Sequence, residues 1–212
     1  MRYIEFKNYI CDFPIFSTSQ LGILAKNKQL LRNQLTRWQK QGLILKLKKG
    51  LYILNKNDRK INPSRVFIAN QLYSPSYIST EYALSFYELI PERVEDITSI
   101  TTKKTISFKN DLGFFRYQHI NIGCFVGFIQ LKDENNLPFF IAEPEKAIVD
   151  FLYLNLKALK LDTSDIFKTS YRFQNIEGLN PKKIISWARL FKNSRLEAVA
   201  GEFCAFIREE KT

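Results

Sequence analysis

Apolar residues in the first part of the chain recur at helical spacing. They predict a first helix over residues 3–11, which ends before Pro14 because proline cannot continue a helix. The side chains predicted to face inward from this helix are those of Tyr3, Ile4, Phe6 and Ile10. A short second helix is predicted to begin at Ser17, since Ser17 and Gln20 have the spacing of a capping box.

A third helix is predicted from about Lys28 to Gln41, with Gly42 as its C-terminal stop. At 100° per residue its apolar side chains fall within an arc of about 140°, which would face a core. These side chains are Leu30, Leu31, Leu35 and Trp38. The opposite side contains no acid and carries Gln29, Arg32, Asn33, Thr36 and Lys40, with Lys28 and Arg37 on its flanks.

Two short apolar runs follow, at residues 43–47 and 51–54, and the turn Lys48-Lys49-Gly50 separates them. This pattern predicts a β-hairpin with a basic tip. Three helices followed by a basic hairpin is the order of a winged helix-turn-helix. We therefore predict that fold for residues 1–60, with the polar segment 55–62 as a linker.

Residues 61–212 mix helical and extended patterns without a repeated βαβ unit, so the fold class predicted for the whole chain is α+β. Helices are predicted to begin at Asn62-Pro63, at Ser79 and at Glu143-Pro144. Strands are predicted at residues 77–78, 97–101, 106–108, 114–120, 125–131 and 139–142. The tail, from about residue 160 to 212, is predicted to be helical, with helices near 164–173, 181–192 and 195–208.

Charge divides the chain at the same place as the predicted fold. Residues 1–62 hold thirteen Lys and Arg against three acids, a net charge of +10, whereas residues 63–212 hold nineteen against eighteen. The large positive charge of residues 1–62 indicates a polyanionic partner for this part. The balanced charge of residues 63–212 indicates an ordinary globular body.

The acid-free side of the third helix has the chemistry of a DNA-reading surface. An α-helix fits the major groove of B-DNA, where amides suit adenine, guanidinium suits guanine, and the thymine methyl accepts apolar contact. The predicted base-reading residues are Gln29, Arg32, Asn33 and Thr36, and the predicted phosphate contacts are Ser17, Ser19, Lys28, Arg37, Lys40, Lys46, Lys48 and Lys49. The alternatives are a merely solvated helix face, or a winged-helix module that binds RNA or protein.

Nothing in the sequence indicates catalysis or a cofactor. No P-loop and no G-x-G-x-x-G motif is present, and the one histidine, His119, lies on a predicted strand. Glu143, Glu145 and Asp150 could suggest a metal-dependent nuclease, but acids favour a helix start and Lys146 and Asp150 have i,i+4 spacing. The three cysteines are widely spaced, which predicts neither a disulfide framework nor a zinc site.

Membrane association and export are also not expected. The N-terminus is too polar for a secretory signal, and charge interrupts every apolar stretch before it reaches membrane-spanning length. We therefore expect a cytoplasmic protein.

Three blocks of the sequence resemble the AbiEi-type antitoxins of bacterial abortive infection systems. They are LRNQLTRWQKQGLI at residues 31–44, continued by KKGLY at 48–52; SYISTEYAL at 76–84; and AEPEKAIVD at 142–150, followed by LY at 152–153. The resemblance implies an N-terminal winged helix that binds double-stranded DNA at inverted repeats in its own promoter. It also implies a C-terminal domain with antitoxin activity, a nucleotidyltransferase-like toxin encoded beside it, and a role in phage defence.

Two other hypotheses remain open from the sequence. One is a winged-helix transcription factor whose second domain senses a small ligand, and the other is a nucleic-acid-processing enzyme with a DNA-targeting module.

Overall fold

The computed structural model describes residues 2–21, 28–159 and 166–210, and at Lys28 it describes the backbone only. Within these residues the architecture is mixed α+β, as predicted, and its strands form two sheets. We call residues 2–21 and 28–60 the front body, and residues 61–159 and 166–210 the rear body.

The front body combines helices with a small antiparallel sheet. Its helices are α1 (Tyr3–Ile10), α2 (Thr18–Leu21) and α3 (Lys28–Lys40). Its strands are β1 (Phe16–Ser17), β2 (Ile44–Lys48) and β3 (Leu51–Leu54), in the order β1-β3-β2. The predicted hairpin is confirmed as β2–β3. Strand β1 was not predicted, because two residues beside a helix cap carry no alternating pattern.

Aromatic packing fixes the inner side of the front-body helices. Trp38 on α3 lies 4.5 Å from Phe6 and 5.6 Å from Tyr3, measured between ring centroids. Two predicted core positions are wrong: Ile4 is 69% exposed and Leu30 is 61% exposed. Leu31, Leu35 and Trp38 span only about 60° of α3 and suffice for the contact, so Leu30 lies beyond its edge.

The rear body is built on a six-stranded mixed sheet in the order β6-β7-β5-β4-β9-β8. Its strands are β4 (Ser76–Ile78), β5 (Ile97–Thr101), β6 (Ile106–Asn110), β7 (Gly113–His119), β8 (Phe128–Lys132) and β9 (Pro138–Ala142). Its helices are α4 (Arg65–Leu72), α5 (Thr80–Phe86), α6 (Pro144–Asn155), α7 (Pro181–Leu190) and α8 (Ser194–Glu209). Pairs β5–β7 and β4–β9 are parallel, and the other neighbouring pairs are antiparallel.

Several predicted boundaries in the rear body are shifted. Helix α4 is capped by Ser64, whose Oγ accepts the Phe67 N–H at 3.2 Å, and not by Asn62, because the side chain of Ser64 is placed to reach the free N–H groups. A 3₁₀ turn at Ile122–Cys124 delays β8 to Phe128. In the tail, a π-helix at Ile166–Ser170 stands within the predicted helix 164–173, of which residues 164–165 lie outside the described residues.

The predicted linker is folded onto the front body. Asp58 accepts hydrogen bonds from the Tyr3 hydroxyl at 2.7 Å and from Lys7 Nζ at 2.5 Å, and the Lys60 N–H donates to the Cys11 carbonyl at 3.1 Å. The polar residues of this segment therefore bond to α1 and to the residue that follows it, and the segment does not stand away from the front body.

We expect Asp58→Asn to destabilise the front body by about 1–2 kcal/mol at neutral pH, since Lys7 and Tyr3 lose a charged acceptor. The Lys7 ammonium, then the Tyr3 hydroxyl, hold the pKa of Asp58 below its usual range. A depressed folded pKa stabilises above the unfolded pKa, and that contribution disappears as the pH falls through the folded pKa. The measurement is unfolding in urea, followed by the fluorescence of Trp38. The second tryptophan, Trp187, is replaced by Phe in both chains so that only Trp38 reports. A stability difference between the unaltered chain and the Asp58→Asn variant that stays constant from about pH 6 to about pH 2.5 would contradict the assignment.

The hairpin joins the two bodies. Leu47 and Ile53 belong to the hydrophobic core of the rear body, although their neighbours Ile44 and Leu54 belong to that of the front body. Asn110 at the end of β6 donates from Nδ2 to the Leu47 carbonyl at 3.0 Å. The rear body therefore supports one side of the hairpin.

Candidate nucleic-acid interface

Helix α3 turns its acid-free side to solvent. Leu31, Leu35 and Trp38 are buried on the inner side. The exposed residues of the predicted site on this helix are Gln29, Arg32, Asn33, Thr36, Arg37 and Lys40. Gly42, at φ +70°, ends the helix as predicted, and the Leu43 N–H donates to the Trp38 carbonyl at 2.9 Å. The side chain of Lys28, which was also predicted to contact phosphate, lies outside the described residues.

Two hydrogen bonds order the polar side chains on this surface. Gln29 Nε2 donates to Asn33 Oδ1 at 3.2 Å, which holds the two amides side by side. The Thr36 hydroxyl donates to the Arg32 carbonyl at 2.9 Å, which leaves the Thr36 methyl group for contact with a partner. Amides, a guanidinium and a methyl group are the groups that read base edges in a major groove.

The acids of the front body contact groups away from α3 and the hairpin. Asp12 pairs with Lys60 at 2.9 Å and Asp58 pairs with Lys7 at 2.5 Å, while Glu5 accepts the backbone N–H of Arg2 at 2.9 Å. All of these contacts involve α1 or the segment after β3. Within the residues that the structure describes, none of the cations of α3 and the hairpin forms an ion pair. The cations of α3 and the hairpin are therefore not neutralised by acids, which favours contact of this surface with a polyanion.

The hairpin contributes fewer free cations than predicted. Lys46 and Lys49 are exposed. Lys48 is instead turned to the rear body, where its Nζ donates to the Leu72 carbonyl and lies 6.0 Å from the centre of the Phe108 ring. Burial, together with the nearby charge of Lys103, lowers the pKa of Lys48. A bulge between Lys46 and Lys48 accounts for the change of direction, because it shifts the alternation of side chains along β2.

The capping box at the start of α2 is confirmed. The Ser17 N–H donates to Gln20 Oε1 at 2.7 Å, and the Gln20 N–H donates to Ser17 Oγ at 3.2 Å. The hydroxyls of Ser17 and Ser19 also bond to each other at 2.7 Å. The Ser17 hydroxyl therefore serves the cap and the Ser19 hydroxyl is bonded to it, and phosphate contact by these two serines stays a prediction. The Thr18 N–H donates to the Gly50 carbonyl at 2.9 Å, which ties the hairpin turn to this helix start.

A buried polar cluster in the rear body was missed by the sequence reasoning. The predicted pair of Lys146 and Asp150 exists on α6, but both side chains are 0% exposed. Asp150 also accepts the Tyr77 hydroxyl at 2.9 Å and the Ser79 hydroxyl at 2.8 Å, so the cluster joins α6 to the end of β4. Burial, and then the charge of Asp150, raises the pKa of Tyr77, which keeps Tyr77 a hydrogen-bond donor.

The three carboxylates considered for a nuclease face different surroundings. Asp150 is enclosed in the cluster, Glu145 accepts the Asn180 N–H at 3.1 Å, and Glu143 pairs with Lys183 at 2.5 Å on the surface. Among residues 2–21, 28–159 and 166–210, no three His, Cys, Asp or Glu side chains are grouped so that they could hold a metal ion. In the same residues, no helix combines the length and apolarity needed to cross a membrane.

Comparison with known protein families gives no match, and comparison with curated proteins gives none either.

Proposed function

We propose that the chain is a DNA-binding antitoxin that represses its own operon, with residues 1–60 acting as a winged helix-turn-helix. The observation that supports this most strongly is the exposed side of α3, where amide, guanidinium and ammonium groups stand without an acid. In this proposal α3 is the recognition helix and β2–β3 is the wing. Inverted repeats in the promoter of the operon are the proposed site.

The proposal assigns different roles to the exposed cations. Arg32 contacts a guanine, and Gln29 and Asn33 contact an adenine beside it, since these are the pairings that the geometry of their side chains favours. Arg37 and Lys40 on α3, with Lys46 and Lys49 on the hairpin, bind phosphates and set the register. Lys48 contributes through the seating of the hairpin on the rear body, and not through a phosphate.

The antitoxin role is proposed for the rear body on the resemblance of residues 76–84 and 142–153 to the AbiEi type. The proposed partner is a nucleotidyltransferase-like toxin encoded beside this chain. Lys146 and Asp150 lie in the block 142–153, and their cluster with Tyr77 and Ser79 of the block 76–84 holds α6 against β4 and so shapes the surface of the rear body.

Two experiments with the full chain test the two halves of the proposal. Footprinting on the upstream region of its own gene is expected to show protection of inverted repeats. Cells that express the neighbouring toxin are expected to stop growing, and co-expression of this chain is expected to restore their growth. The triple variant Arg32→Ala, Arg37→Ala, Lys40→Ala is expected to lose protection of the DNA while still restoring growth. Absence of any protected sequence would remove the repressor role, and loss of growth rescue in that variant would contradict the assignment of neutralisation to the rear body.

A further inference from the structure

The rear body carries an open basic cleft beside the hairpin. Its volume is about 640 Å³, and the residues that line it are Tyr73, Thr102, Lys103, Lys104, Thr105 and His119. Among the described residues that line the cleft, none is an acid. Hydroxyl, ammonium and imidazole groups in one cleft of small-molecule size are the groups that bind phosphate.

Hydrogen bonds hold the β5–β6 connection, which forms one side of the cleft. The Lys103 N–H donates to Thr101 Oγ1 at 3.2 Å, and Lys103 Nζ donates to the Ser74 carbonyl at 2.5 Å. The His119 N–H donates to Thr105 Oγ1 at 3.1 Å. The backbone and the first lysine are thus held in place before any ligand arrives, which reduces the ordering cost of binding.

His119 is oriented in the same way. Its Nδ1 lies 3.0 Å from the Lys103 carbonyl, and because a carbonyl only accepts, Nδ1 carries the proton. The second ring nitrogen, Nε2, is then an acceptor, which suits the hydroxyl of a singly protonated phosphate group. Lys104 is exposed and has no hydrogen-bond or ion-pair partner within the part of the chain that the structure describes. The ring of Tyr73 also lines the cleft, and Lys103 Nζ lies 5.4 Å from its centre.

The cleft adjoins the lysine that seats the hairpin. Lys48 is bonded to the Leu72 carbonyl and Lys103 to the Ser74 carbonyl, so the two ammonium groups are held by the residues just before and just after Tyr73 in sequence. After burial, the charge of Lys103 is the second cause of the lowered pKa of Lys48, because the two ammonium groups repel each other. An anion in the cleft would offset this repulsion and favour the observed position of the hairpin.

We propose that this cleft binds the phosphate group of a small phosphorylated ligand through Lys103, Lys104 and His119. The size of the cleft and the Tyr73 ring that lines it favour a small molecule over a length of DNA backbone as the source of the phosphate. Binding itself does not depend on the proposed repressor function. If the chain is a repressor, the ligand acts on the hairpin through Lys48.

The test uses inorganic phosphate as the probe, with chloride at equal ionic strength as the control, and follows backbone amide shifts of the full chain by NMR. Saturable shifts are expected at residues 102–105 and 119. The double variant Lys103→Met, Lys104→Ala should weaken phosphate binding about 10-fold or more, since two charge-assisted contacts are removed while methionine keeps the apolar stem. Lys182→Ala, which removes an exposed lysine on α7, should leave binding unchanged.

Three outcomes would overturn the proposal. The first is no saturable shift at the cleft, and the second is the same affinity in the double variant. The third is a double variant that, in phosphate-free buffer, loses affinity for a scrambled duplex as well as for phosphate, which would make the cleft a contact for DNA backbone. If the unaltered chain binds phosphate but no duplex, the repressor function fails and the phosphate site stands. Failure of the phosphate site and failure of the repressor function are therefore distinguishable.

Discussion

Replacing Lys146 with methionine is expected to destabilise the protein by about 3–5 kcal/mol, because the Asp150 carboxylate is left buried without its cation. Both side chains are 0% exposed, so water cannot replace the lost partner. Native proteins are stable by about 5–15 kcal/mol, and such a loss would leave the rear body close to unfolding. The measurement is equilibrium unfolding in urea, followed by circular dichroism.

A second lysine–carboxylate pair, at the start of α6, provides a matched control for the buried pair. Lys183 pairs with Glu143 at the start of α6, but these side chains are 46% and 26% exposed. Lys183→Met should therefore cost less than about 1 kcal/mol. The double variant Lys146→Met, Asp150→Asn should regain part of the stability, because the buried charge is gone and the amide oxygen can still accept from Tyr77 or Ser79. Equal costs for Lys146→Met and Lys183→Met would contradict the account of the cluster.

Arg32→Ala is expected to weaken binding to the operator by about 1–3 kcal/mol and to relax sequence preference at one base pair. Lys49→Ala should instead weaken binding to every duplex alike, because an ammonium on the hairpin contacts phosphate and reads no base. The measurement is fluorescence anisotropy with the protected upstream duplex and with a scrambled duplex of the same length.

Lys60→Ala is the control for both variants. It removes the same unit of charge from the same body, but this charge is already paired with Asp12. Its effect on duplex affinity should be within experimental error. If Lys60→Ala weakens binding as much as Arg32→Ala does, only the net charge of the front body matters and α3 has no special role.

Local patterns predicted the front body well because its signals lie close together in the chain. The helical repeat of α3, the stop at Gly42 and the turn at Gly50 are each encoded within a few residues. The width of the buried side is not encoded in this way. Leu30 lies within the predicted apolar arc but is exposed, since the contact of α3 is set by the rings that Tyr3 and Phe6 supply from another helix.

The two largest differences between prediction and structure depend on contacts between distant parts of the chain. Lys48 was predicted as a phosphate contact at the basic tip of the hairpin, but a bulge in β2 and a carbonyl of α4 set the direction of its side chain. The i,i+4 spacing of Lys146 and Asp150 is the same as that of a surface pair. Their burial depends on Tyr77 and Ser79, some seventy positions earlier in the chain, which no local pattern reveals.

The salt dependence of binding to the upstream duplex tests the central claim most directly. On α3 and the hairpin, within the described residues, the exposed cations are Arg32, Arg37, Lys40, Lys46 and Lys49. If these five meet the DNA, counterion release predicts that log K falls with log salt concentration with a slope of about −4.5. A slope near zero, or one that the triple variant Arg32→Ala, Arg37→Ala, Lys40→Ala leaves unchanged, would contradict the account.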